Sequence, residues 1–360
     1  MARSSEKSSY PEIGNEQIEL LERLSNACAV SGDEGEVRKI VLSEIKARAD
    51  EVKVDTLGNV LATRKGSVEQ RLRVMLAAHM DEVGLMLTHD KGDGIYRFEV
   101  VGGISSSNLA GKPVWIGREH IPGVIGIKPV HLLRGIDRRK SIDIEDLHVD
   151  VGTVPGKEKV GDRATFATRF VRLGPSLWGK ALDNRLGVAT LIELLKHAPA
   201  NIDLLAAFTV QEEIGARGAR VAAFSFNPDL AIVLDSTPAF DLPDWEADEN
   251  VRYNTRLGAG PAIYTADSST LSDPRLVHFM IQVAEKNRIP YQLRQPGGGG
   301  TDAGVIHKQR EGIPSISISV PGRYHHSPAA IVRLSDWQNT FKLVMIALSQ
   351  LTPAVLSGER

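Results

Sequence analysis

The chain has 360 residues, 42% of them hydrophobic and 24% charged, which is ordinary globular composition and enough length for two domains with their own cores. Its formal net charge of −2 gives no indication of a nucleic-acid or anionic-membrane surface. Its single cysteine, Cys28, excludes an intramolecular disulfide framework and a thiolate metal cage, so we expect any metal to be held by His, Asp and Glu.

We expect no export signal at the start of the chain. Residues 1–14 are polar and rich in serine, and they lack the apolar core of about 7 to 15 residues that a secretory signal needs. Nowhere does the sequence approach the ~18 consecutive apolar residues of a membrane span. We therefore expect residues 1–14 to form a loose tail on a cytoplasmic protein.

Local patterns then predict two helices, a hairpin and a buried strand. Apolar residues at helical spacing indicate helices at 16–27 and 37–45, separated by a break at 31–33. Alternating residues on both sides of the turn DTLGN at 55–59 predict a β-hairpin. The near-continuous apolar run VMLAAHM at 74–80 is typical of a strand buried on both faces of an α/β sheet.

His79 lies at the end of that run, and Asp81 follows two residues later. Ligands bind beyond the carboxyl ends of strands in open α/β sheets, so a histidine there is placed for function. In an extended chain both side chains fall on the same side, so Asp81 can hydrogen-bond His79 or steady it in another way. A lone buried histidine is more often structural, but the acids further along the chain favour a functional one.

The middle of the chain changes to short β-type segments with glycine turns. We predict strands within 84–88, 95–101, 113–116, 124–127 and 164–171. This change predicts a small β-rich domain at 84–175, inserted into an α/β domain formed by 1–83 and 176–360. We expect the insertion to be an interaction module and not part of the active-site floor. The charged run at 134–146 is interpreted as a solvated loop.

The segment LLAAFTVQEEIGARGA at 204–219 leads an apolar β-type run into two adjacent carboxylates, Glu212 and Glu213. Side chains alternate along a strand, so we expect the two carboxylates to point in different directions from nearly the same place. One carboxylate can then bind a cation while the other transfers a proton. The alternative is that the pair opens a helix and complements its dipole.

Elsewhere in the second half, helices and strands alternate again. Asp183 and Asn184, in GKALDNRLG, would ordinarily be turn or capping residues before a helix at 188–195. The run 230–234 predicts a strand that ends at Asp235. Further predicted elements are a helix from Pro274, strands at 291–294 and 314–320, and a last helix capped by Ser335.

Two motifs lie between and after these elements. GGGGTDAG at 297–304 lacks the lysine of a phosphate-binding loop, so its glycines are interpreted as backbone freedom near a ligand. PGRYHHSP at 321–328 follows the last predicted strand and contains His325 and His326. This strand end therefore offers a second histidine position for a ligand.

Together, the strand ends offer nitrogen and oxygen ligands. The candidates are His79, Asp183, Glu213, Asp235 and one of His325 and His326. This set suits zinc, cobalt or manganese, and two ions ~3.5 to 4 Å apart with a bridging carboxylate would use all five. Scattered acids and histidines occur in any enzyme, so the residues alone leave open whether they form one site. A carbohydrate hydrolase with paired carboxylates also stays open.

The sequence resembles a known family, the tetrahedral (TET) aminopeptidases, also described as glutamyl or deblocking aminopeptidases. The resemblance runs in order through nearly the whole chain. Its motifs here are AAHMDEVG, GVIGIKPVH, IEDLHVDVG, GKALDNRLG, VQEEIGARGA, LDSTPA, GGGGTDAG and RYHHSP. Eight motifs in the same order are very specific.

The resemblance implies a ligand role for five residues of this chain. One divalent ion would be held by His79 and Asp235, and the other by Glu213 and His326. Asp183 would bridge the two ions. The implied cofactor is a pair of divalent ions per subunit, zinc with cobalt or manganese as alternatives.

The resemblance further implies that Glu212 is the general base and that Asp81 orients His79. His325 departs from the family pattern, which has an apolar residue before the final His-Ser, so its role is open. Asn184 stands where many relatives carry an aspartate. This difference lowers the negative charge of the site without removing a ligand.

The implied fold is a mixed-sheet, three-layer α/β catalytic domain of the zinc-exopeptidase kind, with an inserted β-rich, PDZ-like dimerisation domain. The implied partners are a peptide substrate with a free N-terminus and further copies of the chain, as dimers that assemble into dodecamers. An amidohydrolase or deacylase with the same ion pair, and a non-catalytic assembly protein, are the alternatives.

Overall fold

The computed structural model describes residues 10–132, 141–152, 157–242 and 255–359. Most of the expected tail, residues 1–9, lies outside these ranges, as does much of the predicted charged loop, residues 133–140. Within the described ranges, no helix is long and apolar enough to cross a membrane.

The helices follow the apolar periodicity of the sequence closely. Those of the described residues are α1 (Asn15–Asn26), α2 (Gly35–Ile45), α3 (Leu182–Lys196), α4 (Arg217–Phe226), α5 (Pro274–Lys286), α6 (Ala303–Ile306) and α7 (Leu334–Gln350). The predicted cap at Ser335 is wrong, because a strand runs directly into α7 and leaves Arg333 as its N-cap residue.

The strands divide between a large sheet and a barrel. In chain order they are β1 (Glu51–Val54), β2 (Val60–Arg64), β3 (Leu72–His79), β4 (Gly84–Asp90), β5 (Ile95–Val101), β6 (Pro113–Ile116), β7 (Ile121–Gly126), β8 (His148–Asp150), β9 (Arg163–Phe166), β10 (Val171–Leu173), β11 (Ser176–Gly179), β12 (Ile202–Thr209), β13 (Leu230–Pro238), β14 (Ala262–Tyr264), β15 (Gln292–Arg294), β16 (Ser315–Arg323) and β17 (Ala330–Arg333).

The large sheet is mixed, in the order β1-β2-β12-β3-β13-β16-β17-β11-β10, with β14 paired to β16 and β15 paired to β14. Its centre is parallel, because β12, β13 and β16 all run in the direction of β3. Parallel strands end at one edge of a sheet, so this arrangement collects four strand ends in one place.

Helices cover both faces of the parallel strands, which explains why the run at 74–80 is apolar throughout. Val74, Leu76 and Ala78 pack in one core with α1, α2, α3, α5 and α7. Met75 and Ala77 pack in a second core with α4 and α6. The α/β architecture with a mixed sheet is therefore confirmed, in three layers.

The six strands β4 to β9 form a closed barrel in the order β4-β5-β8-β7-β6-β9. The barrel has its own apolar core, which includes Leu85, Phe98 and Ile116. The strand predicted at 164–171 is confirmed only as far as Phe166, where β9 ends, because the chain then leaves the barrel and β10 joins the large sheet. The barrel is β-rich as predicted, whereas the PDZ-like relationship stays a prediction.

Candidate metal centre

Four neighbouring strands bring most of the predicted site residues to one edge of the large sheet, and Asp183 joins them from the start of α3. His79 is the last residue of β3, and Asp235 lies in the carboxyl-terminal half of β13. Glu212 and Glu213 follow β12, and His326 follows β16. The run after Leu230 extends further than predicted, so Asp235 lies inside its strand and is held by the backbone pairing of β13 with β16.

Two groups of potential ligands share one aspartate. Nε2 of His79 lies 3.3 Å from Oδ1 of Asp183 and 3.6 Å from Oδ1 of Asp235. Nε2 of His326 lies 3.6 Å from Oδ2 of Asp183 and 3.3 Å from Oε2 of Glu213. In each group, the ligand atoms all lie within 4.8 Å of one another. The arrangement therefore offers two adjacent cation positions with Asp183 between them.

The other ring nitrogen of each histidine faces an oxygen atom. Nδ1 of His79 is 3.2 Å from the carbonyl oxygen of Asp81 and 3.5 Å from its Oδ1. Nδ1 of His326 is 2.9 Å from the carbonyl oxygen of Gly103. Such partners fix the tautomer that leaves Nε2 free to bind a metal ion. Both rings are thus oriented as metal ligands are.

Gly103 follows β5, within the segment that we predict as an insertion, and no pattern in the sequence assigns it to the site. It lines the same cavity as Asp183 and Glu212. A Cβ at this position would lie 3.2 Å from Nδ1 of His326, so a side chain would crowd the ring. The expectation that residues 84–175 stay outside the active-site floor is therefore wrong at Gly103.

Asp81 holds more of the site than its predicted contact with His79. Its Oδ1 accepts a hydrogen bond from the backbone N–H of Glu212 at 3.0 Å, and its Oδ2 accepts one from that of Glu213 at 3.2 Å. Ser31 donates a third bond at 2.6 Å. Because β12 ends at Thr209, these bonds set the directions of the two glutamates, and the predicted strand alternation does not.

Asn184 is fully buried and caps the following helical turns, as the turn-or-cap interpretation of the sequence expects, and it also makes a bond to a strand that the sequence did not indicate. Its Nδ2 donates to the carbonyl oxygen of Leu234 at 2.7 Å, and its Oδ1 accepts from the N–H of Gly187 at 2.9 Å. A neutral amide can donate and accept hydrogen bonds at the same time, whereas an ionised carboxylate can only accept them. Asn184 therefore links the start of α3 to β13 beside Asp235.

The buried acids of the centre outnumber the positive charges that could balance them, and the pKa values of the two glutamates reflect this. Burial, together with nearby Asp302 and Asp235, raises the pKa of Glu212 well above its usual range. Burial and the charge of Asp183 raise the pKa of Glu213 to about 8. Burial opposes a charge on His79, but the acids around it raise its pKa well above the usual value. Divalent cations would relieve this excess of acids, so the donor set fits two such ions.

Two further buried groups line the centre. The side chain of His325 is only 4% exposed, and its Nδ1 lies 3.9 Å from Oδ2 of Asp183. Asp302, in GGGGTDAG, accepts a bond from Oγ1 of Thr209 at 2.6 Å, and burial raises its pKa to about 7. Asp302 was missed because the motif GGGGTDAG was interpreted from its glycines alone.

A cavity of about 660 Å³ opens in front of the centre. Gly298, Gly299 and Gly300 form part of its wall, as the interpretation of backbone freedom near a ligand expects. A Cβ at Gly300 or Gly304 would collide with Oγ of Ser269, so this wall requires glycine for close packing.

A mixed α/β sheet that gathers histidines and carboxylates at its carboxyl edge, beside an open cavity, is the arrangement that a metal-dependent hydrolase needs. The model of the M42 glutamyl aminopeptidase family matches residues 58–343. The chain belongs to this family and is a peptide hydrolase.

Relatives and solved structures agree with the family. The lysyl aminopeptidase of Pyrococcus furiosus is 35% identical over 93% of this chain and 97% of its own. The structure of a TET aminopeptidase from a marine-sediment thaumarchaeote covers 96% of this chain and 99% of its own, with a TM-score of 0.90 and 34% identity. The Pyrococcus horikoshii TET1 peptidase, which can assemble into a tetrahedron or a large octahedral shell, covers 93% of this chain and 100% of its own, with a TM-score of 0.82 and 32% identity.

Proposed function

We propose that the chain is an aminopeptidase that uses two divalent ions, held by His79 and Asp235 and by Glu213 and His326, with Asp183 between them. The observation that carries this proposal is that two groups of ligands share Asp183. In each group, the ligand atoms lie within 4.8 Å of one another. Zinc suits this nitrogen and oxygen set, and so do cobalt and manganese.

The residues of the chain divide the work of hydrolysis. When bound, the ions supply Lewis acidity toward the peptide carbonyl and the attacking water. Glu212 lines the cavity beside them and takes the proton of the attacking water. It then gives that proton to the amine that leaves. Asp81 keeps Glu212 in place through its backbone, and it steadies His79.

Chelation and a blocked N-terminus test this function together. A chelator is expected to stop the release of N-terminal residues, and zinc or cobalt to restore it, because the ligands alone do not polarise the carbonyl. The same peptide with an acetylated N-terminus is the matched control, and we expect the enzyme not to release its N-terminal residue. Release of the acetyl group would support the deacylase alternative, whereas full activity in chelator would contradict the metal mechanism.

The two adjacent histidines are expected to behave differently. His326→Ala should lower metal content and activity together, because Nε2 of His326 lies 3.3 Å from Glu213 in the second ligand group. His325→Ala should leave the metal content unchanged, since His325 belongs to neither group. Elemental analysis of both purified variants measures this, and the reverse pattern would make His325 the ligand.

The charge of the cavity favours acidic N-terminal residues. Among the residues that the structure describes, those that carry charge and line it, away from the proposed ion ligands and base, are Arg294 and Lys308, both cations. Arg294 is buried and donates to backbone carbonyls such as that of Gly298, at 2.7 Å. Lys308 is exposed and faces the open space. We propose that Lys308 attracts a glutamyl or aspartyl side chain of the substrate.

Lys308→Gln is expected to lower kcat/KM for a glutamyl substrate relative to a leucyl one by about twofold to fivefold, the value of an exposed ion pair. Lys342→Gln removes an exposed lysine on α7 that does not line the cavity, and it should leave the ratio unchanged. Kinetics on both substrates at low ionic strength measure the effect. An unchanged ratio in Lys308→Gln would contradict this role.

We propose further that the barrel joins copies of the chain into dimers and that dimers form larger shells. Its support is the assembly of the Pyrococcus horikoshii relative and the separate core of the barrel. A closed barrel has no free strand edge, so contact must use its outer face. Val124 is 42% exposed on β7. Val124→Glu should reduce the mass measured by light scattering, and an unchanged mass would exclude that face.

A further inference from the structure

A second cluster of metal-ligating side chains lies where the helical layer meets the barrel. Cys28 lies between α1 and α2, and Glu36 lies in the first turn of α2. His120 lies in the turn that joins β6 to β7. None of the three belongs to the ligand groups of the metal centre. They come from two parts of the molecule that meet only in the folded chain.

The three side chains converge on one point. The sulfur of Cys28, a carboxylate oxygen of Glu36 and a ring nitrogen of His120 all lie within 4.8 Å of one another. Nε2 of His120 is 2.5 Å from Oε1 of Glu36. The other oxygen of Glu36, Oε2, accepts a hydrogen bond from the backbone N–H of Cys28 at 3.0 Å. The carboxylate is thereby aimed at the sulfur and the ring together.

The dimensions of the cluster suit a tetrahedral ion after a small adjustment. Zinc lies about 2.3 Å from sulfur and about 2.0 to 2.2 Å from nitrogen and oxygen, so ligand atoms around it are roughly 3.3 to 3.6 Å apart. The bond between His120 and Glu36 has to open by about 1 Å. Both side chains are partly exposed, at 41% and 31%, and have room to do so.

A cavity of about 330 Å³ lies beside two of the three side chains, Cys28 and Glu36, whereas His120 does not line it. Four cations, Arg38, Lys39, Arg118 and Arg163, also line this cavity. Three protein ligands and an open position are typical of a zinc site that keeps a water or an exogenous ligand. The set combines a sulfur, a nitrogen and an oxygen donor, which suits zinc and cobalt better than magnesium or calcium.

We propose that Cys28, Glu36 and His120 bind one divalent transition-metal ion, zinc in chemical class, separately from the two ions of the active centre. The ion would tie α2 to the barrel. This site departs from the expectation that metal ligands in this chain are only His, Asp and Glu. That expectation considered a cage of several thiolates and not a single sulfur in a mixed set.

The alternative is a surface ion pair between His120 and Glu36 with Cys28 packed beside it as an apolar residue. Burial raises the pKa of the Cys28 thiol to about 12, so the sulfur keeps its proton until a cation displaces it. An ion pair between His120 and Glu36 does not involve the sulfur of Cys28 in any bond. A bond between metal and sulfur therefore separates the two interpretations.

Cobalt is the probe, because a sulfur-to-cobalt bond gives a charge-transfer absorption that nitrogen and oxygen ligands do not give. Cys28 is the only cysteine of the chain, so this absorption can come from nowhere else. Titrating the chelator-treated full chain with Co²⁺ is expected to fill the active centre and, with one further equivalent, to produce the absorption.

Variants show whether the whole cluster binds. Cys28→Ser should abolish the absorption, and His120→Gln and Glu36→Gln should each weaken the binding that produces it by roughly tenfold to a hundredfold. His89→Gln, which replaces another exposed histidine of the barrel, is the matched control and should bind as the wild type does. The glutamine variants change partly exposed side chains, so they report on binding even where Cys28→Ser fails to fold.

Two results would overturn the proposal. One is a wild-type chain that shows no sulfur-to-cobalt absorption although its active centre is loaded and cobalt is in excess. The other is an absorption that His120→Gln and Glu36→Gln leave unchanged, since the sulfur would then bind cobalt without the cluster. Peptidase activity is not needed for either result, so failure here is distinct from failure of the aminopeptidase mechanism.

Discussion

Glu212→Gln is expected to lower kcat by about 100- to 10,000-fold, because the amide cannot accept the proton of the attacking water. The substitution preserves the shape of the side chain. It also preserves the bond that holds this segment, since the backbone N–H of Glu212, and not its side chain, donates to Asp81 at 3.0 Å. Glu212 belongs to neither ligand group, so the metal content should stay at the wild-type value.

Kinetics and elemental analysis on the same preparation measure this result. Glu311→Gln is the matched control, because Glu311 is exposed and does not line the cavity, and it should leave kcat unchanged. A Glu212→Gln variant that binds metal normally and retains near wild-type kcat would show that another group is the base. Asp302, buried nearby with a raised pKa, would be the next candidate.

The second large effect concerns stability and comes from a buried ion network around Glu82. Lys180 donates to both carboxylate oxygens of Glu82, at 2.8 and 2.9 Å, and Arg185 donates to Oε1 at 3.1 Å. Thr165 of the barrel donates to Oε2 at 2.8 Å, and the N–H of Ala29 donates to Oε1 at 2.9 Å. The network thus joins α3, the α1–α2 loop and the barrel.

Glu82→Gln is expected to lower the free energy of unfolding by about 3 to 5 kcal/mol, the usual cost of removing one member of a buried ion pair. The reason is that two buried cations, Lys180 and Arg185, lose their shared counter-charge. Water cannot take the place of the lost carboxylate charge, because the side chains are almost fully buried. They are 3% exposed for Glu82, 2% for Lys180 and 0% for Arg185. Urea unfolding at equal protein concentration measures the change.

An exposed ion pair provides the control for that measurement. Glu51 and Lys65 are 2.8 Å apart with side chains 67% and 56% exposed, so Glu51→Gln should leave the unfolding free energy close to the wild-type value. If Glu82→Gln behaves like Glu51→Gln, the network does not stabilise the junction between the barrel and the helical layer.

The sequence predicted those parts of the site that follow from hydrophobic runs. The apolar run before His79 and the run before Asp235 marked two strands, and their carboxyl ends meet because the strands are parallel neighbours. The choice between His325 and His326 came from the resemblance to the family and not from any local pattern. In the structure, His326 belongs to a ligand group with Glu213, whereas His325 does not.

The rest depends on contacts between distant parts of the chain, which leave no periodic signal. Gly103 reaches His326 from the segment that follows β5, and Asn184 at the start of α3 meets the carbonyl oxygen of Leu234 in β13. Glu82 reads in the sequence as one more acid after a strand, although it meets Lys180 deep in the interior. Such roles appear only when the packing of the barrel against the catalytic domain is known.

An anomalous-diffraction map of crystals of the active, metal-loaded protein tests the central proposal most directly. We expect two peaks at the edge of the large sheet, ~3.5 to 4 Å apart, one between His79 and Asp235 and one between Glu213 and His326, with Asp183 touching both. An additional peak at Cys28 would not affect this result. Active crystals with one peak or none at this edge would contradict the two-ion mechanism.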